Sequence, residues 1–576
     1  MGRPAGLHEP DKMTVGLLAV VIAALLAALL PVGQGTVMVT VASDGTVLSD
    51  GTAGASSSGA TGDTSSAAGQ NSGGSATSRD GSTAGTAGLT AGSSAGTAGA
   101  GPRDNGSSSA TPLALPTGTG SSGSNAGATY QGVTADSVFW GFSAQANGCG
   151  GFNQNETAAA FGVNANPAVA YEAAAEFFNT HVLDNFPLPP EIRAHVNPEN
   201  GYWGRRITSV FRDSGGFACQ DVGRANAVRM AEEDKVFGLV MRGNEGPEVP
   251  MSLVMAQHGL VHIGRHLTTR TFQQQREPYF FDGFWGSGEI QNIGLGSWIC
   301  RDWKDQPAAD TGDPLVSGMP RKFAITRPEG SNFDDAVAAL AGELDACGVA
   351  YTEYSYPVDL STVAANIETV VTRMKRDGIT TLLTADPFLF ILFMSQAADK
   401  QVYFPEWVRS GFSDGSRPAF YTTFMTATQA RNAWAAADAA SPVLPGYYES
   451  ESYLAWKAVR PDEEPIGDWD SYYFQFKTLA LGMAGAGPTL TPETFAEGLQ
   501  RVCNPCPRSD PLLPLETYQP GKPLNLDGFT LVKWNPNKPC PICPPDAEGN
   551  QPVGYFDFLE DGKRYGRRIS EPDPGR

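Results

Sequence analysis

One motif that could carry covalent chemistry is Gly411-Phe412-Ser413-Asp414-Gly415, which matches the G-x-S-x-G turn that presents the nucleophilic serine of many hydrolases. In those enzymes the catalytic histidine follows the serine in the chain. Every histidine here precedes Ser413: they are His8, His181, His195, His258, His262 and His266. Without a downstream proton acceptor a serine oxygen stays a weak nucleophile. We therefore expect no enzyme activity, and a serine hydrolase remains a lesser alternative.

A second pattern is the recurrence of histidine every four residues at His258, His262 and His266. On a helix this spacing would place the rings on one face and suggest a zinc site. The run between Gly259 and Gly264 is strand-like, however, and four residues of strand span roughly 13 Å. A single metal ion cannot bridge that distance, so we expect no metal here. The sequence also has no phosphate-binding P-loop and no G-x-G-x-x-G after a strand, and we expect no cofactor.

A third set of candidates is polar and lies where strand-like runs end. In open α/β domains ligands bind at the carboxyl ends of the parallel strands, so these loops predict a binding cleft. Loops of any protein are polar, and each residue alone is also compatible with an ordinary solvated loop. The candidate ligand-binding residues are Ser143, Gln145, Asn244, Glu245, His266, Thr268, Asn332, Phe333, Asp386 and Asp414.

The elements that must position these residues alternate between short apolar runs and amphipathic patterns, which is typical of parallel α/β proteins. The predicted strands are Val138–Ser143, Ile207–Asp213, Phe237–Arg242, Leu260–Gly264, Pro278–Asp282, Phe323–Arg327, Tyr351–Tyr356, Thr380–Thr384 and a strand near Trp407–Ser410. The predicted helices include Val169–Leu183, Asn332–Cys347, one through Val363 and Met374 that Gly378 caps, Leu389–Lys400, Tyr472–Ala484 and Pro492–Val502. Because the pattern restarts at Phe323, we predict two doubly wound, Rossmann-like domains.

Several phrases of the sequence point to one family. They are Gly132–Ser137, Ala173–Asn179 followed by Gly204–Ile207, Ala231–Phe237, Lys322–Ile325 and Trp469–Ala484. In order and spacing they resemble the type I periplasmic-binding-protein family, specifically the branch of branched-chain amino-acid and amide receptors of ABC transporters. The resemblance implies a region over 129–566 with two domains joined by hinge crossovers. Lobe I would comprise about 129–285 plus part of 415–490, and lobe II about 286–414 plus part of 491–566.

The resemblance also implies roles for some of the candidate residues. Asn244 and Thr268 occupy places where the family holds a ligand carboxylate, and His266 lies nearby. Asn332, with Phe333 beside it, aligns with an aromatic residue that covers the ligand. Asp414 aligns with the acid that pairs with the ligand ammonium. The ligand loops and the Pro/Cys-rich insertion at 503–545 depart from the family, which leaves the identity of the ligand open.

The N-terminal segment predicts export. The run from Val15 to Leu30 is apolar apart from Gly16, and 13–33 is long enough for a transmembrane signal anchor that leaves 1–12 in the cytoplasm. A cleaved signal peptide is the alternative. Residues 43–128 consist mostly of Gly, Ser, Thr and Ala, which cannot bury a core, so we expect a disordered linker. Such a linker reaches roughly 50 Å and suits a tether through a cell wall.

An exported chain changes the interpretation of its cysteines. These are Cys149, Cys219, Cys300, Cys347, Cys503, Cys506, Cys540 and Cys543. An even number of cysteines in an oxidising compartment favours disulfides. The alternative is structural zinc, because the two C-x-x-C pairs have zinc-ribbon-like spacing. We predict Cys149–Cys219, because each residue follows a strand of the first domain. Cys300–Cys347 is a second predicted pair, with the last four cysteines pairing among themselves.

The overall charge excludes one class of partner. Lys and Arg number 40 against 61 Asp and Glu, a formal net charge of −21, which opposes binding to nucleic acid.

Together, the N-terminal segment and the resemblance predict a single-pass membrane protein. Its extracytoplasmic part would bind a small solute, an amino acid or an amide, and deliver it to a membrane permease. A membrane-tethered sensory or adhesion ectodomain with the same fold is the alternative.

Overall fold

A computed structural model describes the chain between residues 125 and 571, with gaps at several loops. The described residues are 125–144, 167–215, 220–241, 248–264, 269–283, 287–358, 362–386, 388–411, 415, 418–422, 424–438, 448, 450–466, 469–503, 506, 517–519, 528–541, 543 and 549–571. The predicted anchor at 13–33 and most of the linker at 43–128 lie outside these residues. Within them, no helix combines the length and the hydropathy needed to cross a membrane.

The first part of the chain builds a five-stranded sheet. Its elements are β1 (Ser137–Ala144), α1 (Pro167–Thr180), α2 (Pro190–Arg193), β2 (Val196–Asn197), β3 (Gly201–Tyr202), β4 (Arg206–Asp213), α3 (Gln220–Glu232), β5 (Gly238–Met241), α4 (Glu248–Gln257), β6 (Val261–Gly264), α5 (Arg270–Gln274) and β7 (Phe280–Asp282). The strand order is β4-β1-β5-β6-β7, and all neighbours are parallel. β2 and β3 form a separate two-stranded antiparallel sheet.

The rest of the chain adds a second sheet and several further helices. Its elements are α6 (Gly288–Trp298), β8 (Phe323–Pro328), α7 (Ser331–Cys347), β9 (Tyr351–Tyr356), α8 (Val363–Arg376), β10 (Thr381–Thr384), α9 (Phe388–Lys400), β11 (Glu406–Ser410), α10 (Ala419–Thr422), α11 (Ala427–Ala430), β12 (Ala433–Asp438), α12 (Glu451–Val459), α13 (Trp469–Ala486), α14 (Pro492–Val502), β13 (Phe529–Pro539), β14 (Val553–Phe558) and β15 (Arg564–Tyr565). A π-helical turn, Ile299–Trp303, follows α6.

The second sheet is mixed. Its order is β14-β13-β12-β11-β10-β8-β9, and β15 pairs with β13. The strands from β8 to β12 are mutually parallel, whereas β13, β14 and β15 are antiparallel to their partners. The chain passes from the first sheet to the second after β7, returns after β12, and passes to the second again after α14. The returning segment contains α12, α13 and α14, which contribute to the core of the first sheet. The protein is thus an α/β protein with one parallel sheet and one sheet whose first five strands are parallel.

Local sequence explains where several helices begin and end. α14 begins with Pro492 after Thr491, whose hydroxyl accepts a hydrogen bond from the Thr494 backbone at 3.2 Å, while the Thr494 hydroxyl accepts one from the Thr491 backbone at 2.8 Å. α8 buries an apolar stripe and is followed by Gly378 at φ +70°, a conformation that glycine adopts without strain. The helical periodicity and these end signals place α8 and α14 where the sequence predicted them.

The Pro/Cys-rich insertion predicted at 503–545 needs a correction. Residues 529–539 form β13, which pairs with β12 in the register Ala436↔Leu531 and therefore belongs to the second sheet. The run from Phe529 to Trp534 is apolar apart from Thr530 and Lys533. This strand was not predicted, because the prolines that follow the run are unusual in strands. β12 was missed as well, because its Ala-Trp-Ala-Ala-Ala-Asp sequence lacks the β-branched residues that mark strands.

Three disulfides are formed within the described residues. Cys300, in the π-helical turn, bonds to Cys347 at the end of α7 with a Cα–Cα distance of 6.0 Å, which is one of the pairings that the sequence predicted. The two C-x-x-C motifs each close on themselves, as Cys503–Cys506 and Cys540–Cys543. The expected Cys149–Cys219 bond lies outside the described residues.

Candidate functional site

A buried polar cluster lies at the carboxyl ends of the central strands of the second sheet. Asp386 follows β10 by two residues and is fully buried. One of its carboxylate oxygens accepts a hydrogen bond from the hydroxyl of Thr326 in β8, and the other accepts one from the hydroxyl of Tyr356 at the end of β9. The guanidinium of Arg409, in β11, lies 4.9 Å from the ring centroid of Tyr421. Three neighbouring strands therefore each supply one polar partner around Asp386 or beside it.

Burial controls the electrostatics of this cluster. It raises the pKa of Asp386 from 3.8 to about 6, although the hydroxyls of Thr326 and Tyr356 and the charge of Arg409 act in the opposite direction. Burial likewise raises the pKa of Tyr421 to about 12, so this phenol stays protonated and donates to the Gly415 carbonyl at 2.8 Å. The cluster thus holds a fixed cation beside a carboxyl group that titrates near pH 6.

The two described ends of the G-x-S-x-G motif, Gly411 and Gly415, lie beside the end of β11. Ser410 ends β11, and the backbone N–H of Gly415 donates back to the Ser410 carbonyl at 3.2 Å. A Cβ atom at residue 415 would lie 2.9 Å from that carbonyl oxygen, so the close return of the chain requires glycine. Ser413 and Asp414 themselves lie outside the described residues, but both ends of their loop are fixed next to Arg409.

At the first sheet, one helix ties the strand ends together. Gln475 of α13 donates from Nε2 to the Met241 carbonyl at the end of β5, at 2.7 Å, and to the Gly264 carbonyl at the end of β6, at 3.2 Å. Gly283, just after β7, approaches this glutamine so closely that a Cβ atom would lie 2.8 Å from Gln475 Cγ. α13 is buried along its whole length and therefore fixes the carboxyl ends of this sheet.

Two further polar side chains stand at the same ends. Ser143, in β1, is buried and donates its hydroxyl to the Arg212 carbonyl at 2.8 Å. Glu248 is the first residue of α4, directly after the undescribed loop 242–247, and only 1% of its surface is exposed. Its carboxylate approaches Gly264 so closely that a Cβ atom at residue 264 would lie 2.4 Å from Oε1. Charged and amide groups therefore converge at the ends of β1, β5 and β6.

The structure places the predicted binding residues as follows. Ser143 and Asp386 lie at the carboxyl ends of the first and second sheets, and both side chains are engaged in hydrogen bonds within the protein. Phe333 is buried in the first turn of α7 and packs against Ala336. Asn332 lies in the same turn, and its side chain is not described. The others, Gln145, Asn244, Glu245, His266, Thr268 and Asp414, lie outside the described residues.

Sequence reasoning missed Thr326, Tyr356, Arg409, Glu248 and Gln475. A signal existed for Arg409, because it lies within the strand predicted near Trp407–Ser410, and a charged residue in a strand that becomes buried requires a partner. Glu248 and Gln475 carried no such signal, since a polar residue near a helix start or within an apolar helix is common. Within each sheet, the proximity of these residues depends on which strands are neighbours, which periodicity does not specify.

The strand predicted between Gly259 and Gly264 is confirmed as β6, which contains one of the three histidines. His262 is buried inside β6, and His258 lies in the turn that precedes the strand. Burial, together with the nearby charge of Arg276, lowers the pKa of His262 to about 3, so its ring is neutral. Among the residues that the structure describes, no group of three or more His, Cys, Asp and Glu side chains is placed to hold a metal ion.

Comparison with known proteins matches the fold to one class. The fatty acid ABC transporter substrate-binding protein from Thermomonospora curvata superposes with a TM-score of 0.50 at 13% identity, over 77% of this chain and 97% of that one. An ABC transporter substrate-binding protein from Aeropyrum pernix gives 0.50 at 9% identity, over 76% and 97%. A type 1 periplasmic binding protein from Bordetella pertussis Tohama I gives 0.50 at 13% identity, over 69% and 97%.

The likeness concerns the fold. No protein-family model matches the sequence, and no curated protein matches it either. The two sheets of mostly parallel strands nevertheless agree with the α/β fold class that the sequence predicted. The chain has the fold of the type I periplasmic binding proteins of ABC transporters.

Proposed function

We propose that this protein is an extracytoplasmic solute-binding protein that captures a small organic ligand, an amino acid or a related amide, for an ABC-type permease. The observation that carries the proposal is the concentration of polar side chains at the carboxyl ends of both parallel sheets, in a fold whose solved neighbours are substrate-binding proteins. Ligands of open α/β sheets bind at these ends. The proposal involves no covalent chemistry.

Binding would occur by closure of two domains, one built on each sheet. A ligand that contacts both domains stabilises the closed state, and its differential affinity drives the hinge motion. In this proposal Asn244 and Thr268, with His266, hold the ligand carboxylate from the first domain. Asp414 pairs with the ligand ammonium from the second, and its place in the chain four residues after Ser410, the last residue of β11, supports a position near the carboxyl end of that strand.

The location of the protein is also part of the proposal. The apolar segment at 13–33 would anchor the chain in the cell membrane as a single pass, and the linker at 43–128 would hold the binding domains outside the cytoplasm. This arrangement keeps the receptor near a membrane permease while letting it sample solutes beyond the membrane surface. It rests on sequence composition alone.

A ligand screen tests the proposal. Purified full-length protein is heated with amino acids, amides, aromatic acids and fatty acids, the last because one solved neighbour is a fatty acid transporter component. A ligand at about 100 times its dissociation constant adds about 2.7 kcal/mol to the free energy of unfolding, which raises the melting temperature measurably. If no small organic solute shifts the melting temperature, the transport role is wrong and the sensory or adhesion alternative gains support.

A pair of substitutions then tests the site. Removing the partner of a buried charge costs about 3–5 kcal/mol, so Asp414→Ala should weaken an amino-acid ligand by two orders of magnitude or more, measured by calorimetric titration. Ser413→Ala, in the same loop, is the matched control and should change affinity little. An ester-hydrolysis assay covers the hydrolase alternative, in which Ser413→Ala would abolish turnover and preserve binding.

A further inference from the structure

A cavity of about 410 Å³ lies on the helical layer of the first sheet, away from the strand ends discussed above. It is enclosed by the end of α1, the turn at 181–186, α12 and Tyr473 of α13. The end of α1 is fixed at the opposite end of the sheet, because the Asn179 side chain exchanges two hydrogen bonds of 2.8 Å with the backbone of Ile207 at the start of β4. β4 has eight residues, which puts roughly 23 Å between its start and its carboxyl end.

Four of the eleven residues that line the cavity carry aromatic rings. Phe177, Phe186 and Tyr473 are buried and line it, and the ring of His181 lies 4.7 Å from that of Phe177. At the mouth stands Leu454, a large apolar side chain that is 55% exposed. A volume of this size, with apolar walls and a few polar groups, is typical of small-molecule sites.

The charges around the cavity are acidic. Glu451 lines it with a side chain that is 5% exposed and is paired with Lys477 at 2.8 Å, and Lys477 itself stands behind the cavity wall, near the rings of Phe186 and Phe474. Asp184 adds an exposed carboxylate to the lining. Among the described residues that line the cavity, none is Lys or Arg. Since Lys477 already offsets the charge of Glu451, Asp184 supplies the net negative charge.

Aromatic faces and a carboxylate together favour one chemical class of ligand. A cation is attracted by the faces of aromatic rings and by a carboxylate, and an apolar group attached to it is favoured by the same walls. An anion would meet the exposed carboxylate of Asp184 in a lining that contains no Lys or Arg. We propose that this cavity is a second small-molecule site, which binds an organic cation that carries an apolar group, such as an arylalkylammonium ion. The inference does not depend on the proposed transport function.

Three probes of nearly equal size test the charge preference. They are 2-phenylethylammonium, the neutral 2-phenylethanol and the anionic 3-phenylpropanoate, each titrated calorimetrically into the full-length protein. The cation is expected to bind saturably, at least tenfold more tightly than the alcohol, and the anion should bind more weakly still. Failure of the cation to saturate, or equal affinity for the alcohol, would overturn the proposal.

Substitutions locate the binding. Leu454→Lys puts a competing cation at the mouth and should weaken 2-phenylethylammonium at least tenfold, while Asp184→Asn should weaken it several-fold. Leu315→Lys, at a leucine that is 84% exposed and does not line the cavity, makes the same chemical change and should have no effect. Cation binding that survives Leu454→Lys in a folded variant would place the probe elsewhere and refute the assignment. A ligand of the strand-end site should bind Leu454→Lys normally, so the two proposals can fail separately.

Discussion

At the scale of single residues, Asp386 makes the stability of the folded protein depend on pH. Its position was predicted from the sequence, because it follows a strand-like run, but its partners Thr326, Tyr356 and Arg409 were not. Those partners come from three different strands, and only the strand order brings them to Asp386. The burial that raises the pKa of this carboxyl is therefore a tertiary property.

The raised pKa predicts a defined pH dependence of stability. Between about pH 4 and pH 6 the folded protein keeps a proton on Asp386 that the unfolded chain has lost, so this contribution is complete below about pH 4 and disappears as pH rises through 6. The shift from 3.8 to about 6 corresponds to about 3 kcal/mol. Asp386→Asn should abolish this decrease in stability with rising pH. Urea unfolding near pH 4 and near pH 7 should show the wild-type protein losing about 3 kcal/mol more than the variant.

A surface carboxyl provides the control for this experiment. Asp136 is exposed, and the Thr134 hydroxyl lowers its pKa, so Asp136→Asn should have a small effect of the opposite sign. Asp470, also buried, has its pKa raised to about 6, and it titrates in both the wild type and the Asp386 variant. The difference between those two proteins therefore isolates Asp386. Equal pH dependence in both would show that the carboxyl is not held in this environment.

At the scale of elements, sequence reasoning succeeded where a residue pattern decides the structure by itself. β9 and α14 were predicted with both bounds. β9 is a short run of Tyr and Thr with breaks on both sides, and α14 has a capped, strongly amphipathic sequence. β12 and β13 were not predicted, because an alanine-rich run and a run ending in prolines become strands through pairing with β11 and with each other. For those elements the neighbouring strand, rather than local preference, determines the conformation.

The crossing of α13 and α14 gives a prediction at this scale. Gly485 lies so close to the backbone of Gly498 that a Cβ atom would be 2.2 Å from the Gly498 carbonyl oxygen. Gly485→Ala must push the helices apart and should cost about 3 kcal/mol of unfolding free energy, as overpacked cores do. Chemical denaturation measures this loss. A decrease below about 0.5 kcal/mol would mean that the helices do not cross here.

The same substitution at an open position is the matched control. Gly342 lies in α7 with no atom within 4 Å of an added Cβ. Gly342→Ala should therefore stabilise the protein by about 0.5–1 kcal/mol through helix propensity alone. The two changes are chemically identical, so their opposite signs would separate steric crowding from intrinsic preference.

At the scale of the whole molecule, the two halves draw on distant parts of the chain. The core of the first sheet combines residues from 133 to 281 with others from 455 to 518, whereas the second sheet takes its strands from 323 to 438 and from 529 to 565. The sequence suggested this exchange, since the predicted lobes each included a later segment. It placed α14 differently, because 491–566 was expected to contribute to lobe II and not to lobe I. In the structure α14 contributes to the core of the first sheet, since an amphipathic helix fits either sheet.

The linker supplies a prediction at the same scale. Its Gly, Ser, Thr and Ala residues have almost no side chains that could pack on a folded domain. Deleting 51–100 should therefore leave ligand affinity unchanged within about twofold, measured by titration with any ligand that the screen identifies. The full-length protein is the reference. A tenfold loss of affinity would show that this segment contributes to the binding domains.

The placement of α13 has a consequence for how the protein is made. All 18 residues of this helix are buried, and its Gln475 joins the ends of β5 and β6. The strands of the first sheet emerge from the ribosome more than 180 residues before the helix that completes their core. Although domains commonly fold in order of synthesis, the domain built on the first sheet can complete its core only after α13 has been synthesised. In the export that we propose, the first domain would therefore complete its core only after most of the chain has been synthesised.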